Sequence, residues 1–309
     1  MTKPSYPSIS IQDFSMSFGN KNVIDNLSFE VKQGETFGFL GSNGSGKTTT
    51  IRALLGIYQP TAGTLLVNKK IFTPQDGATL GYLPEERGLY KNESVIDVMV
   101  YFGSLKNVPK VEARKWSLEY LERVGLADKA TTTVKKLSGG QQQKVQLGVT
   151  IMNKPSLLIL DEPTKGFDPI NRRLLMDIIE EQRASGATVM MVTHQMEEVE
   201  RLCDRIILLK DGNAAAYGTI NEVKNKFGSA VITLDYEGEL PTSQLYDIKV
   251  KEARYAELAP KSKIDEALIL RQLTEHKNLI IRGFTARKSS LDDIFVQVYG
   301  KQAKEADNA

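Results

Sequence analysis

The segment "ETFGFLGSNGSGKTTTIRALLG", residues 35–56, passes from an apolar run through a loop of glycine and serine into a second apolar run. The first part is of strand length. The last carries a helical pattern closed by Gly56, with Pro60 beyond it. Between them "GSNGSGKT" (41–48) fills the pattern G-x-x-x-x-G-K-[S/T] completely. Gly41, Gly44 and Gly46 let the backbone wrap closely and turn its N–H groups inward on a phosphate. The helix that starts there adds its positive N-terminal end. Lys47 is placed to reach the β- and γ-phosphates, and the Thr48 hydroxyl to ligate Mg2+. The plain alternative is a glycine-rich turn joining strand to helix, and the complete pattern between those two elements disfavours it. The candidate phosphate-binding residues are Gly41, Ser42, Asn43, Gly44, Ser45, Gly46, Lys47, Thr48 and Thr49.

Outward from this loop the chain reads as α/β. Residues 8–39 alternate short apolar runs with the turn signals "GNKN" and "KQG". Residues 93–153 are helical in character, and Trp116, Tyr120 and Val124 form a stripe at four-residue spacing that reads as helix core. "SLLILDEP", "TVMMVTH" and "DRIILLKDG" are near-continuous apolar runs of strand length, as in a parallel sheet covered on both faces. Helical patterns at 170–184 and 196–202 alternate with them. The pattern breaks near "NKFGSA" (225–230). Beyond it lie "AVITLDY", "YDIKVKEARYAEL", a helix candidate "KIDEALILRQLTEH", a strand "NLIIRGFTA" and a short helix "SLDDIFVQVYG". The expected organisation is a nucleotide-binding domain over 8–225 with a helical subdomain at about 93–153, a small α+β domain over 230–300, and a polar, frayed tail over 301–309.

Composition excludes some classes. A net charge of +2 over 309 residues gives no strong field for nucleic acid, and none is expected as a partner. The densest apolar runs are strand length, short of the roughly 20 residues a spanning helix needs, and "MTKPSYPSIS" has no apolar signal region. Neither a spanning segment nor a signal peptide is therefore expected. The single cysteine, Cys203, precludes an internal disulfide and reads as a small core residue.

"SLLILDEPTKGFDP" (156–169) ends an apolar strand with two carboxylates. Asp161 suits holding Mg2+, and Glu162 suits polarising an attacking water. "KLSGGQQQKVQLGV" (136–149) places Ser138, Gly139 and Gly140 at the opening of another helix. That is a second anion-binding device in one chain. One γ-phosphate does not need two such devices from one subunit, so the second reads as serving a nucleotide on a partner subunit.

In order along residues 8–220, the phosphate loop, "LSGGQ", "LLILDEP", "GFDP" and "VTHQMEEVERLCDRI" resemble the ATP-binding cassette (ABC) ATPases. The resemblance implies a P-loop NTPase with a mostly parallel core sheet, an N-terminal antiparallel β region and a helical subdomain. It implies two cassettes dimerising head to tail, each ATP lying between one phosphate loop and the opposite signature, here Leu137, Ser138, Gly139, Gly140 and Gln141. It implies His194 as the switch histidine sensing the γ-phosphate beside catalytic Glu162, Asp168 as the D-loop residue, and Phe18 stacked on adenine. A core phenylalanine is the competing reading of Phe18. His276 has no such context and reads as solvated.

Three positions depart from the commonest family form. Glu85, in "GYLPEERGLY", stands where a glutamine is usual; it can still ligate Mg2+ beside Thr48 and Asp161 while adding negative charge. Lys165 and Phe167 stand where a small residue and a leucine are usual, and Lys165 is expected to be solvated rather than to pair across the dimer. "LPEERGLY" and the C-terminal "SLDDIF" resemble bacterial cassettes for sodium or drug extrusion. The implied protein is the ATP-hydrolysing subunit of a transporter, peripheral on the cytoplasmic face of the membrane, with ATP and Mg2+ as cofactors and a permease on another polypeptide. The competing reading is a soluble ABC-type ATPase without a transporter. A kinase or GTPase would leave "LSGGQ" unexplained.

Overall fold

A computed structural model describes residues 6–86, 88–228, 230–261 and 265–306. The chain divides into two compact units, Met1–Ile220 and Asn221–Ala309.

The first unit opens with β1 (Ile9–Phe18) and β2 (Lys21–Val31), a hairpin turned at "GN". β3 (Thr36–Gly41) follows, then α1 (Lys47–Leu54), β4 (Ala62–Val67) and β5 (Leu80–Leu83). β2, β1 and β4 make a three-stranded antiparallel sheet in that order. Three helices come next: α2 (Val95–Leu105), α3 (Lys110–Arg123) and α4 (Gly139–Ile151). The series ends with β6 (Leu157–Asp161), α5 (Pro169–Ala184), β7 (Thr188–Val192), α6 (Met196–Leu202), β8 (Arg205–Lys210) and β9 (Asn213–Thr219). The second sheet runs β5-β6-β7-β3-β8-β9 and is parallel except for β9. Strands β3, β6 and β7 are buried along their whole length, which is why they carry unbroken apolar runs. The two sheets share one core, where Phe29 lies 5.5 Å from Phe37 and 5.4 Å from Phe39, centroid to centroid.

In the helical region, Tyr120 and Val124 are buried, and Trp116 is half-buried and stacks on Tyr120 at 5.0 Å. The Tyr120 hydroxyl donates to the Lys144 carbonyl at 2.8 Å, tying α3 to α4. Cys203 is buried, and burial pushes its thiol up, as a core residue requires.

In the second unit α7 (Ile220–Phe227) leads into β10 (Ala230–Gly238), β11 (Tyr246–Lys251) and β12 (Tyr255–Pro260). Then come α8 (Glu266–Thr274), β13 (Leu279–Lys288) and α9 (Leu291–Ala306). The sheet is antiparallel, ordered β11-β12-β10-β13. Ile269 and Leu273 of α8 close its core over Ile232, Leu234 and Leu258.

The structure departs from two expectations. The last helix runs on to Ala306 where a frayed tail was expected from 301; residues 307–309 of that tail lie outside the described residues. His276 is half-buried, with Nδ1 buried and without a hydrogen-bond partner, rather than solvated. β9 occupies a stretch of small and polar residues without a clear period, whereas α7 carries Ile220, Val223 and Phe227 at helical spacing. The helix candidate at 263–276 is α8; Lys263 and Ile264 at its start lie outside the described residues.

Candidate functional site

β3 delivers the phosphate-loop sequence to the carboxyl edge of the parallel sheet, the edge where open α/β sheets bind ligands. Gly46 caps α1 with φ of 107°, a left-handed conformation that only glycine adopts freely. A Cβ there would also fall 2.2 Å from Ile24 Cδ1. Lys47 Nζ donates back to the carbonyls of Gly41 (2.9 Å) and Ser42 (3.0 Å), so its ammonium is held over the loop. Ser45 Oγ is buried and unpartnered. Asn43, Gly44 and Thr48 are exposed, Ser42 and Thr49 half-buried.

β6 ends at Asp161, paired with Val192 of β7. Glu162 then turns into the left-handed region at φ 50°. For a residue with a Cβ that conformation costs roughly 1–2 kcal/mol. It is held by the Glu162 N–H donating to the Val192 carbonyl at 2.8 Å. The turn places the Glu162 carboxylate, itself buried, 2.7 Å from His194 Nδ1 and 3.5 Å from the Thr193 hydroxyl. Facing a carboxylate, Nδ1 carries the ring proton, which leaves Nε2 as the outward atom. Burial pushes the Asp161 carboxyl up to about 6, with Glu85 and Glu162 adding to the effect and Lys47 and Arg52 opposing it. Burial also lowers the proton affinity of Lys47, against the pull of Glu162, Asp161 and Glu85. One ammonium therefore stands within electrostatic reach of three carboxylates.

Lys165 is not solvated alone. Its Nζ lies 2.6 Å from Glu85 Oε1, joining the turn after β5 to the loop after β6 within one chain. Both residues line a cavity of about 610 Å3 with Glu162, Lys91, Gln142 and Gln143. Asp168 caps α5, accepting from the N–H groups of Ile170 and Asn171 at 3.0 Å each, which hold its carboxyl below the usual range.

The signature residues form the start of α4. Ser138 Oγ accepts from the Gln141 N–H at 3.3 Å, and the Gln141 side-chain oxygen accepts from the Ser138 N–H at 2.9 Å. Ser138 is exposed and Leu137 buried. A Cβ on Gly140 would sit 3.2 Å from the ring of Phe167, so the signature helix leans on the loop that carries Lys165 and Asp168. Phe18 is 45% exposed, which overturns the core reading. Its ring is braced edge-on by Tyr58 at 5.3 Å, and the Tyr58 hydroxyl accepts from Arg52 at 2.9 Å.

Two supports escaped sequence reading. Tyr58 is one. The other is Glu198 on α6, almost fully buried, which accepts from the Thr164 hydroxyl and lies 3.6 Å from Arg172 Nε. It ties the loop after Glu162 to the helix after His194. In "HQMEEVE" it reads as one surface glutamate among three.

The chain is similar to known proteins over most of its length. Residues 24–165 match the ABC transporter family, and residues 218–299 match the "ATP-binding protein DrrA1-3-like, C-terminal domain" family. An ABC transporter ATP-binding protein of Methanocaldococcus jannaschii is 46% identical over 71% of this chain and 80% of its own. The Nod factor export ATP-binding protein I of Ralstonia nicotianae is 33% identical over 97% of this chain and 96% of its own. A solved structure of the ATP-binding subunit of an ABC transporter superposes with a TM-score of 0.66 at 28% identity, covering 71% of this chain and 92% of that one. The chain thus belongs to the ATP-binding subunits of ABC transporters, the family that binds and hydrolyses ATP to power transport.

Proposed function

We propose that the chain powers export through a separate membrane permease, closing head to tail with a second copy around two ATP molecules. The observation that carries the catalytic part is the convergence of Lys47, Asp161, Glu162 and His194 at one edge of the parallel sheet. Export is supported by the likeness to a Nod factor export protein and by the DrrA-like second unit.

On this reading the loop from Gly41 to Thr49 wraps the phosphates with backbone N–H groups, and Lys47 leaves its carbonyl partners for the β- and γ-phosphate oxygens. Phe18 offers a braced π face to adenine. Glu162 accepts a proton from the attacking water, and its left-handed backbone aims the carboxylate out of the sheet. His194 holds that carboxylate through Nδ1 and presents Nε2 to the γ-phosphate. Ser138 and Gln141 open their mutual cap and offer the α4 N-terminus to the nucleotide of the other copy.

The donor set fits Mg2+. Thr48, Asp161 and Glu85 supply oxygen only, the donor type this ion takes, and among the described residues no three acidic, histidine or cysteine side chains are gathered to hold a metal by themselves. The other positions fall to phosphate and water, the arrangement this ion favours. Held there, Mg2+ would supply positive charge to offset that of the transferring phosphoryl group.

Among the described residues no helix is long and apolar enough to cross a membrane. The pathway on this reading lies in another polypeptide, and the chain sits on the cytoplasmic face of the membrane. Isolation from membranes under mild detergent tests this. A multi-spanning protein should copurify and change the rate of ATP turnover. A chain recovered alone, with turnover indifferent to membranes, would favour a soluble ATPase.

A further inference from the structure

Glu85 and Lys165 each depart from the commonest family form, and they face each other at 2.6 Å. The two positions are separated by 80 residues of chain, so the pairing is a product of the fold. Lys47 is already shared among Glu162, Asp161 and Glu85. A glutamate at position 85 therefore adds a third negative charge to a place that must receive a polyanion. Lys165 supplies the missing cation from the loop that begins at Glu162. Its exposed ammonium reaches Glu85 and stays on the rim of the 610 Å3 cavity that both line with Glu162.

We propose that Lys165 is a positioning residue that neutralises Glu85 and holds it at the mouth of the nucleotide site, so that a glutamate serves there without repelling ATP. The pair also clamps the turn after β5 to the loop running to Asp168. The inference rests on reading the Lys47 cluster as the ATP site. It makes Lys165 the required companion of Glu85: a glutamate at 85 without Lys165 is worse than both together or neither.

The test is a four-cornered cycle of wild type, Glu85→Gln, Lys165→Met and the double variant, with Lys165→Arg as the conservative control. The readout is affinity for ATP in excess EDTA, by calorimetry, which separates the charge effect from metal binding and from turnover. Lys165→Met should weaken binding about three- to fivefold, the range an exposed pair supports. Glu85→Gln should bind no more weakly than wild type. The double variant should return to within about twofold of Glu85→Gln, Lys165→Arg should match wild type, and high salt should erase the Lys165→Met defect. A Lys165→Met protein with unchanged affinity, or a defect that persists when Glu85 is also replaced, overturns the inference while leaving the ATP site standing. Failure of wild type to bind ATP overturns both.

Discussion

Asp161→Asn should make the nucleotide-free protein more stable, although it removes a candidate metal-binding group. The Asp161 carboxyl is raised from 3.8 to about 6, chiefly by burial and then by Glu85 and Glu162. The sign follows directly. Between about pH 4 and pH 6 the folded state holds a proton that the unfolded state has lost, so stability falls as pH rises through that window. Above it the folded protein carries the full cost of a buried charge, about 3 kcal/mol at the conversion of 1.36 kcal/mol per pKa unit. Asparagine has nearly the same shape and no charge, and so escapes that cost. The advantage of the variant should be about 3 kcal/mol at pH 7.5 and shrink to about 1 kcal/mol at pH 4.5. For a unit of this size, 3 kcal/mol is about 6–12 °C in the melting temperature. Scanning calorimetry of both proteins without nucleotide, at the two pH values, reads the difference in the transition of the first unit. A variant less stable than wild type at pH 7.5, or an advantage that does not change with pH, would refute this account of the site as destabilised until its ligands arrive.

Three further outcomes follow from the geometry. Glu162→Gln should retain ATP binding while turnover falls about 10²–10⁴-fold, the usual weight of a general base; single-turnover kinetics read both. Phe18→Ala should weaken ATP binding about two- to tenfold, the worth of one aromatic face, with an unchanged melting temperature because the ring is outside the core. Gly148→Ala should destabilise the helical region by about 1–3 kcal/mol, because a Cβ there would lie 2.4 Å from the Tyr120 ring; urea unfolding monitored at Trp116, which stacks on that ring, measures it.

Much of this was legible in the sequence where chemistry and chain period coincide. The loop 41–48 must be glycine-rich because its backbone turns left-handed at Gly44 and Gly46, and the apolar runs at 157–161 and 188–192 announce strands buried on both faces. The capping box of α4 can be read from Ser138 and Gln141 alone. What stayed hidden depends on tertiary contact between distant segments. Lys165 reads as a surface lysine until the fold brings Glu85 to it. Glu198 sits in a run of acidic residues whose burial follows from Thr164 and Arg172, not from spacing. Tyr58 has no pattern of its own and acquires its place from Phe18 and Arg52. The last helix outruns its apolar stripe, so its end at Ala306 was not marked in the residues.

The central claim is that each ATP is enclosed by two chains, Lys47 on one side and Ser138 on the other. Light scattering of the Glu162→Gln protein with Mg-ATP tests it most directly, beside the same protein carrying Ser138→Arg. The first should move from one chain's mass to twice that mass on adding ATP, and the second should bind ATP yet remain a single chain. A Glu162→Gln protein that stays monomeric while saturated with ATP, or a Ser138→Arg protein that dimerises as readily, would contradict the account.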